Sequence, residues 1–300
     1  MISLIKTWYA RFRADGSGLP EYLLLGAVGL VVLSFVLFYL IDLRNVFGMR
    51  DFLFSGLQPY FYFFYAPFFF EQWGRNSGFA EVFQWAGLGA ALVMAAFLAG
   101  RYFGIDRLRY KFFSLMAVAF LLMLLEDAGN IRHLFMSWVQ VAANEPDQGI
   151  FGTLFEAGYF ALLAGVPLYA LVRYGWHLRE HVRAATYILA GFFMYFLAGS
   201  LSFIGTAFSG LVDRDLYTFA GERLYAFALR IGDAEVAGMW AAWNEQHPMS
   251  SIGFSLLDSL IEENIELLGA AAFCAGMLVL VRMSVRSAVS PLADEKAERE

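Results

Sequence analysis

Six side chains in three stretches of this sequence combine the donor types that bind a cation or move a proton: Glu126, Asp127 and His133, then Glu156, then Glu262 and Glu266. Carboxylates with one imidazole suit hard or borderline divalent metals, and the same groups serve as general acid, general base or proton relay. Glu81, Asn130, Asp258 and Glu263 complete the candidate set. On a helix, residues three and four apart share a face, so Glu126, Asn130 and His133 predict one polar stripe. Asp258, Glu262 and Glu266 predict a second, with Glu263 turned roughly 100° away. Carboxylates crowded in a low dielectric cannot all stay ionised, and Arg132 is the one base in the immediate sequence neighbourhood. Either some acids are protonated, or a cation neutralises them, or the helices hold them apart in wet crevices. The plainer alternative is that the acids sit at helix starts on the membrane surface, where the helix dipole favours negative charge; it applies most directly to Glu81 and Glu156.

The elements that must position these groups are membrane helices. Of 300 residues, 60% are hydrophobic and 16% charged, against roughly 45 to 50% and about 25% in soluble chains. Apolar runs at 22–41, 78–100, 150–172 and 184–204 each reach the roughly 20 residues needed to cross a bilayer. Two others, 112–125 and 267–281, would rise only about 21 and 22 Å and must borrow polar neighbours. The first can lengthen only through Glu126, Asp127 and Asn130, because Arg109 and Lys111 mark its other end; the second must lengthen backwards through Glu266, Glu263 and Glu262. An acid near the bilayer centre costs at least roughly 2.5 to 3.5 kcal/mol, so acids that complete a span are candidates for function. The predicted fold class is therefore all-α, a polytopic bundle. Its spans are expected at about 22–41, 78–100, 112–131, 150–172, 184–204 and 255–281, within one membrane domain over 1–289 and ahead of a disordered cytoplasmic tail at 290–300.

Basic residues orient the bundle. Segments on the amino-terminal side carry Lys6, Arg11 and Arg13, then Arg101, Arg107, Arg109 and Lys111, then Arg173, Arg179 and Arg183, then Arg282 and Arg286. Much longer segments opposite carry only Arg44, Arg50, Arg75, Arg132, Arg214, Arg223 and Arg230. The positive-inside rule puts both termini in the cytoplasm, and the expected location is the plasma (inner) membrane, with the acids in the outer half of the spans. Outside, the aromatic run from Tyr60 to Phe70 around Pro67 predicts an interfacial or re-entrant segment. Leu224, Phe227 and Ala228 at helical spacing, with Trp240 further on, predict amphipathic helices over the outer face.

Two resemblances attach to particular residues. The segment from Arg13 to Leu25, with Gly16 ahead of Glu21 and Tyr22, is similar over about a dozen residues to the prepilin leader of the Flp and TadE type, which implies cleavage after Gly16. That family has one membrane helix; the plainer account of Glu21 is an interfacial acid at a helix start. The pair Leu-Glu-Asp-Ala-Gly-Asn-Ile-Arg-His at 125–133 and Ile-Glu-Glu-Asn-Ile-Glu-Leu-Leu-Gly at 261–269 resembles uncharacterised bacterial multi-pass membrane proteins with an acid/His helix and a Glu-Glu-x-x-Glu helix. Here Glu-Asp stands where that pattern has Asp-Glu. The resemblance implies that both stripes act together and implies no reaction.

Other signals are slighter. His177-Leu-Arg-Glu-His181 fits the H-x-x-E-H pattern of zinc hydrolases but lies in a short basic connection, away from the acids. His247 before Pro248 reads as exposed, and Gly87-Leu-Gly-Ala-Ala91 and Gly269-Ala-Ala-Ala272 suit close helix packing. Cys274 is the single cysteine, so no intrachain disulfide or cysteine metal site can form. The net charge of −6 and the lack of a basic cluster set nucleic acid aside. The expected cofactor is a divalent metal cation, and the expected partners are the lipid bilayer and either another membrane protein or a second copy of the chain. Three functions are compatible with the acids: an ion-coupled carrier, a metal-dependent enzyme acting on a lipid or envelope substrate, and an assembly subunit.

Overall fold

The computed structural model describes residues 18–57, 68–74, 78–144, 150–207, 216–246 and 251–297, and every regular element among them is helical. The helices are α1 (Leu19–Leu37), α2 (Phe69–Gly74), α3 (Phe79–Tyr102), α4 (Arg107–Gly129), α5 (Ile131–Ala143), α6 (Ile150–Tyr174), α7 (Val182–Ala207), α8 (Leu216–Ile231), α9 (Ala234–Gln246), α10 (Ile252–Ser255) and α11 (Glu263–Ala297). Six stretches are long and apolar enough to cross a membrane: Leu19–Leu43, Phe69–Tyr102, Arg107–Gly129, Leu154–Glu180, Val182–Leu201 and Ile252–Arg286. The protein is an all-α polytopic bundle.

The two short apolar runs lengthen by different means. Asp106 caps α4, its carboxylate accepting the backbone N–H of Leu108 and Arg109 at 3.0 Å each, so the helix starts among the bases that the sequence marks as its boundary. At the far end Asn130 takes a left-handed conformation (φ 48°) and stops the helix. The last span does run backwards through the acids. It starts at Ile252, capped by Ser251, and widens into a π-helical stretch over Leu256–Glu262 before α11. Helix α11 then continues through 290–297, where composition predicts a disordered tail.

The last span is the axis of the bundle. Of its most apolar window 61% is buried within the protein, against 17% for the first and fourth spans, whose many exposed apolar side chains suit contact with lipid. Helix α11 packs against α7, α3 and α1, and α4 packs against α3 and α6. Small residues allow the close approach: a Cβ added at Gly87 would lie 3.2 Å from the Ala270 Cβ, and one at Gly191 would lie 2.6 Å from the Phe273 ring. The two small-residue stretches therefore do meet. Phe273 is fully buried among Phe120, Phe192 and Tyr195.

Side-chain bonds identify the two ends. Glu21 with Arg183, and Arg109 with Glu180, lie at the basic end; the acids of α3, α4 and the last span lie at the acidic end. Glu21 also accepts the Tyr187 hydroxyl at 2.6 Å, which ties the start of α1 to α7.

Over the acidic end sits a cap built from the chain after α1 together with α8 and α9. Arg50, fully buried, donates to the Asp42 carbonyl at 3.2 Å, to both carboxylate oxygens of Asp233 at 2.9 and 3.0 Å, and to Glu235 at 3.1 Å. The Asp42 carboxylate accepts the N–H groups of Phe69 and Phe70 at 2.8 and 3.0 Å and so starts α2. Phe68 and Phe70 pack edge-on against Trp240, which is why Trp240 is buried under the amphipathic helices that the sequence predicts. Residues 58–67 of the predicted interfacial aromatic segment, and His247 with Pro248, lie outside the described residues.

The cap makes a pH prediction. Burial alone would raise the Asp233 carboxyl, but the Arg50 hydrogen bonds and charge, with the N–H groups of Val236 and Glu235, outweigh it and hold the carboxyl below its ordinary value. A lowered folded-state value means stability that is complete above the unfolded value, about 4, and lost as pH falls through the lower folded one. Thermal unfolding in detergent should be flat above about pH 4 and fall below it; Asp233→Asn should lower the neutral-pH midpoint and flatten the acid limb. Superimposable curves for the two proteins would refute the latch.

Candidate functional site

The acids separate into three groups, each organised by one non-carboxylate side chain. The first surrounds Arg132. Because Asn130 breaks the helix, α5 leaves at an angle and Arg132 folds back on α4. Its Nε donates to Glu126 Oε1 at 2.7 Å, its backbone N–H to Glu126 Oε2 at 3.1 Å, and its guanidinium pairs with Glu156. Glu156 is 1% exposed, and the guanidinium also lies 4.9 Å from the Phe160 ring centre. Burial alone would lower the Arg132 value; hydrogen bonds and charge from Glu126 and Glu156 outweigh it and hold the guanidinium above its ordinary range. Glu126 and Glu156 thus share one guanidinium on the same chain, which offsets the charge of one of them. The predicted stripe of Glu126, Asn130 and His133 does not form, since the left-handed Asn130, itself exposed, puts Glu126 and His133 on different helices; the His133 side chain lies outside the described residues.

The second group surrounds Gln84 of α3. This side chain is 1% exposed, and its Nε2 donates at 2.7 Å both to Asp127 Oδ2 of α4 and to Glu266 Oε2 of α11. The Tyr195 hydroxyl of α7 donates to Asp127 Oδ2 at 3.2 Å. Four helices therefore meet at one amide. The remaining amide oxygen, Gln84 Oε1, is buried without a hydrogen-bond partner among the described residues. Glu81, three residues before Gln84 on the same face, couples electrostatically to Asp127 and to Glu263. Glu263, expected to turn away, shares a face with Glu266 three residues on, and its buried Oε2 has no hydrogen-bond partner among the described residues. One turn further into the bundle three of these helices present apolar side chains, Leu88 of α3, Met123 of α4, and Ala270 and Phe273 of α11, all buried. The polar site has an apolar floor, and half-exposed Glu81 and Glu263 on its acidic-end side.

The third group is held by Tyr217 at the start of α8, whose hydroxyl lies 3.4 Å from Asp258 Oδ1 and 3.3 Å from Glu262 Oε2. The predicted stripe of Asp258, Glu262 and Glu266 is therefore shared between Tyr217 and Gln84. Beside it, the π-helical stretch directs Ser259 at Glu71 (3.3 Å) and Leu260 O at the amide of Asn264 (2.6 Å). Asn264 also donates to Ser34 at 2.9 Å and accepts the Trp73 indole N–H at 3.3 Å, a polar seam between α1, α2 and the last span.

Of the predicted ligands, Asp127 and Glu266 come together, Glu126 and Glu156 join Arg132 instead, and Glu262 joins Tyr217. Among the described residues no three His, Cys, Asp or Glu side chains converge as a metal-ligand set. His177 lies in a tight 3-10 turn, Gly175–Glu180, with Nδ1 3.1 Å from Tyr174 O, its ring between Phe112 and Phe113, and Glu180 engaged by Arg109. The α-helical turn that the zinc pattern requires between His177 and His181 is not formed. Gln84, Tyr195 and Tyr217 are the organising residues that sequence reasoning did not place at the centre. Tyrosines spaced among apolar residues carry no sign of a buried acid partner, whereas a lone glutamine within an apolar span is a legible signal. Comparisons with family models, with curated proteins and with solved structures find no match to this chain.

Proposed function

We propose that this protein is an ion-coupled membrane protein, and that Asp127 and Glu266 form a site for one exchangeable cation, a proton in the first instance. The observation that carries the reading is the Gln84 amide donating to both carboxylates inside a membrane span, with no Lys or Arg paired to either among the described residues. Two carboxylates on one nitrogen, in a low dielectric and on an apolar floor, cannot both stay ionised without a neutralising cation. Arg132 does not serve, being committed to Glu126 and Glu156. Tyr195 orients Asp127, and Glu81 and Glu263 provide a stepwise approach for the cation.

The excess of Lys and Arg on the segments joining the amino-terminal side supports an orientation with both termini in the cytoplasm of a plasma-membrane protein. The site then takes its cation from the outside. A divalent metal is the second cation to consider, because carboxylates in a bundle core also suit that charge.

Proteoliposomes carrying a trapped pH dye test the reading. Under an imposed pH gradient the wild type should relax the gradient faster than protein-free vesicles, and Asp127→Asn or Glu266→Gln should remove most of the difference while Glu156→Gln retains it, at matched folding quality. Relaxation no faster than empty vesicles, or unchanged in both variants, would overturn proton coupling. Elemental analysis of the same preparations decides for a metal if a stoichiometric ion is lost in those two variants alone.

A further inference from the structure

The geometry points to a binding site for an anionic glycerophospholipid on the flank of the bundle, distinct from the acid site. An apolar groove of about 250 Å³ lies between the end of α1, the helix α8 and the π-helical stretch. Phe35, Tyr39, Leu224, Phe227 and Leu260 line it, and Phe35, Tyr39 and Phe227 are 40, 38 and 60% exposed, so the groove opens sideways where lipid chains would lie. In water such a groove would be unfavourable; beside a bilayer it is a seat for an acyl chain.

What makes the occupant an anionic lipid is the charge at one end of the groove. There Leu43 and Ile231, both lining residues, are brought together by a bond from the Asp233 N–H to the Leu43 carbonyl at 2.9 Å. Each is adjacent in sequence to an exposed arginine, Arg44 after Leu43 and Arg230 before Ile231. Arg44 is steered toward the groove, its Nε donating to the Tyr39 hydroxyl at 3.0 Å and its guanidinium 5.3 Å from that ring centre. Arg230, three residues on from Phe227, flanks the same face of α8. Among the described residues neither arginine has a carboxylate partner, whereas Arg50, buried close by, has three. Two exposed guanidinium groups with no paired carboxylate among the described residues, flanking the mouth of an apolar groove where α1 ends, match a lipid phosphate with one acyl chain running along the groove. A zwitterionic lipid offers the same chain but no net charge for the pair.

Native mass spectrometry of the full chain in detergent, with phosphatidylglycerol or phosphatidylcholine added at equal concentration, reads this directly. The wild type should retain phosphatidylglycerol preferentially. Arg44→Gln with Arg230→Gln should weaken that retention by about 30-fold, the loss of two arginine attractions at a membrane surface, and bring it close to that of phosphatidylcholine. Leu224→Trp, which fills the groove, should reduce retention of both lipids and leave the arginines in place. Equal retention of the two lipids by the wild type, or retention unchanged in the double variant, would overturn the assignment, as would full retention by Leu224→Trp.

Discussion

Arg132→Met should destabilise the protein by about 3 to 5 kcal/mol, because it leaves the carboxylates of Glu126 and Glu156 buried without their counter-charge. The size of the effect follows from asymmetry. An ion pair assembled in a low dielectric recovers little beyond its desolvation cost, but removing one member leaves that cost unopposed on the others. Glu156 is 1% exposed, so water cannot substitute for the guanidinium there, while Glu126 also loses its bond to the guanidinium Nε. Arg132→Met combined with Glu126→Gln and Glu156→Gln should regain most of the loss, since no uncompensated charge then remains. Unfolding titrations in mixed micelles give both numbers, and wild-type stability for Arg132→Met alone would show that the triad is open to solvent.

Gln84→Leu should cost about 2 to 4 kcal/mol despite its near-equal shape. The substitution removes two short hydrogen bonds made by a buried amide, of which the one to the ionised member of the pair is charge-assisted. Asp127 retains the Tyr195 hydroxyl; Glu266 loses the donor it shares with Asp127. The loss should therefore couple to Glu266 more than to Asp127. In a double-mutant cycle Gln84→Leu with Glu266→Gln should show an interaction of about 1 to 3 kcal/mol, and simple additivity would mean that the amide does not join the two acids.

Run length made the six spans legible, because the hydrocarbon thickness of a bilayer leaves little choice about where a helix with so few charges can lie. Less was legible at the ends. Arg109 and Lys111 mark one end of α4 but lie within its first turns under the Asp106 cap, since long basic side chains extend toward the interface while their backbone stays helical. The polar stripe on α4 was lost to a single dihedral at Asn130, a residue type that enters the left-handed region readily and gives no warning from spacing alone. Arg132 stood out as the one nearby base, yet its choice of Glu156 over Asp127 and Glu266 depends on how α5 folds back. Asp127 and Glu266 both belong to the six predicted ligands, and these two come together. The amide between them is the residue missed: a lone glutamine in an apolar span is a signal of a buried polar role, but its bridging of two acids follows only once α3 is placed between α4 and α11. The π-helical stretch over Leu256–Glu262 likewise follows from packing that periodicity does not encode.

In the site proposed above, Asp127 and Glu266 carry one proton between them at neutral pH. Infrared spectroscopy of the reconstituted protein, reading the carbonyl stretch of protonated carboxyl groups, tests it most directly. The wild type should show a protonated-carboxyl band that disappears in Asp127→Asn and in Glu266→Gln, because either change leaves the other acid free to ionise alone, and that persists in Glu156→Gln. A wild-type protein with no such band at neutral pH, or a band that survives both substitutions, would contradict it.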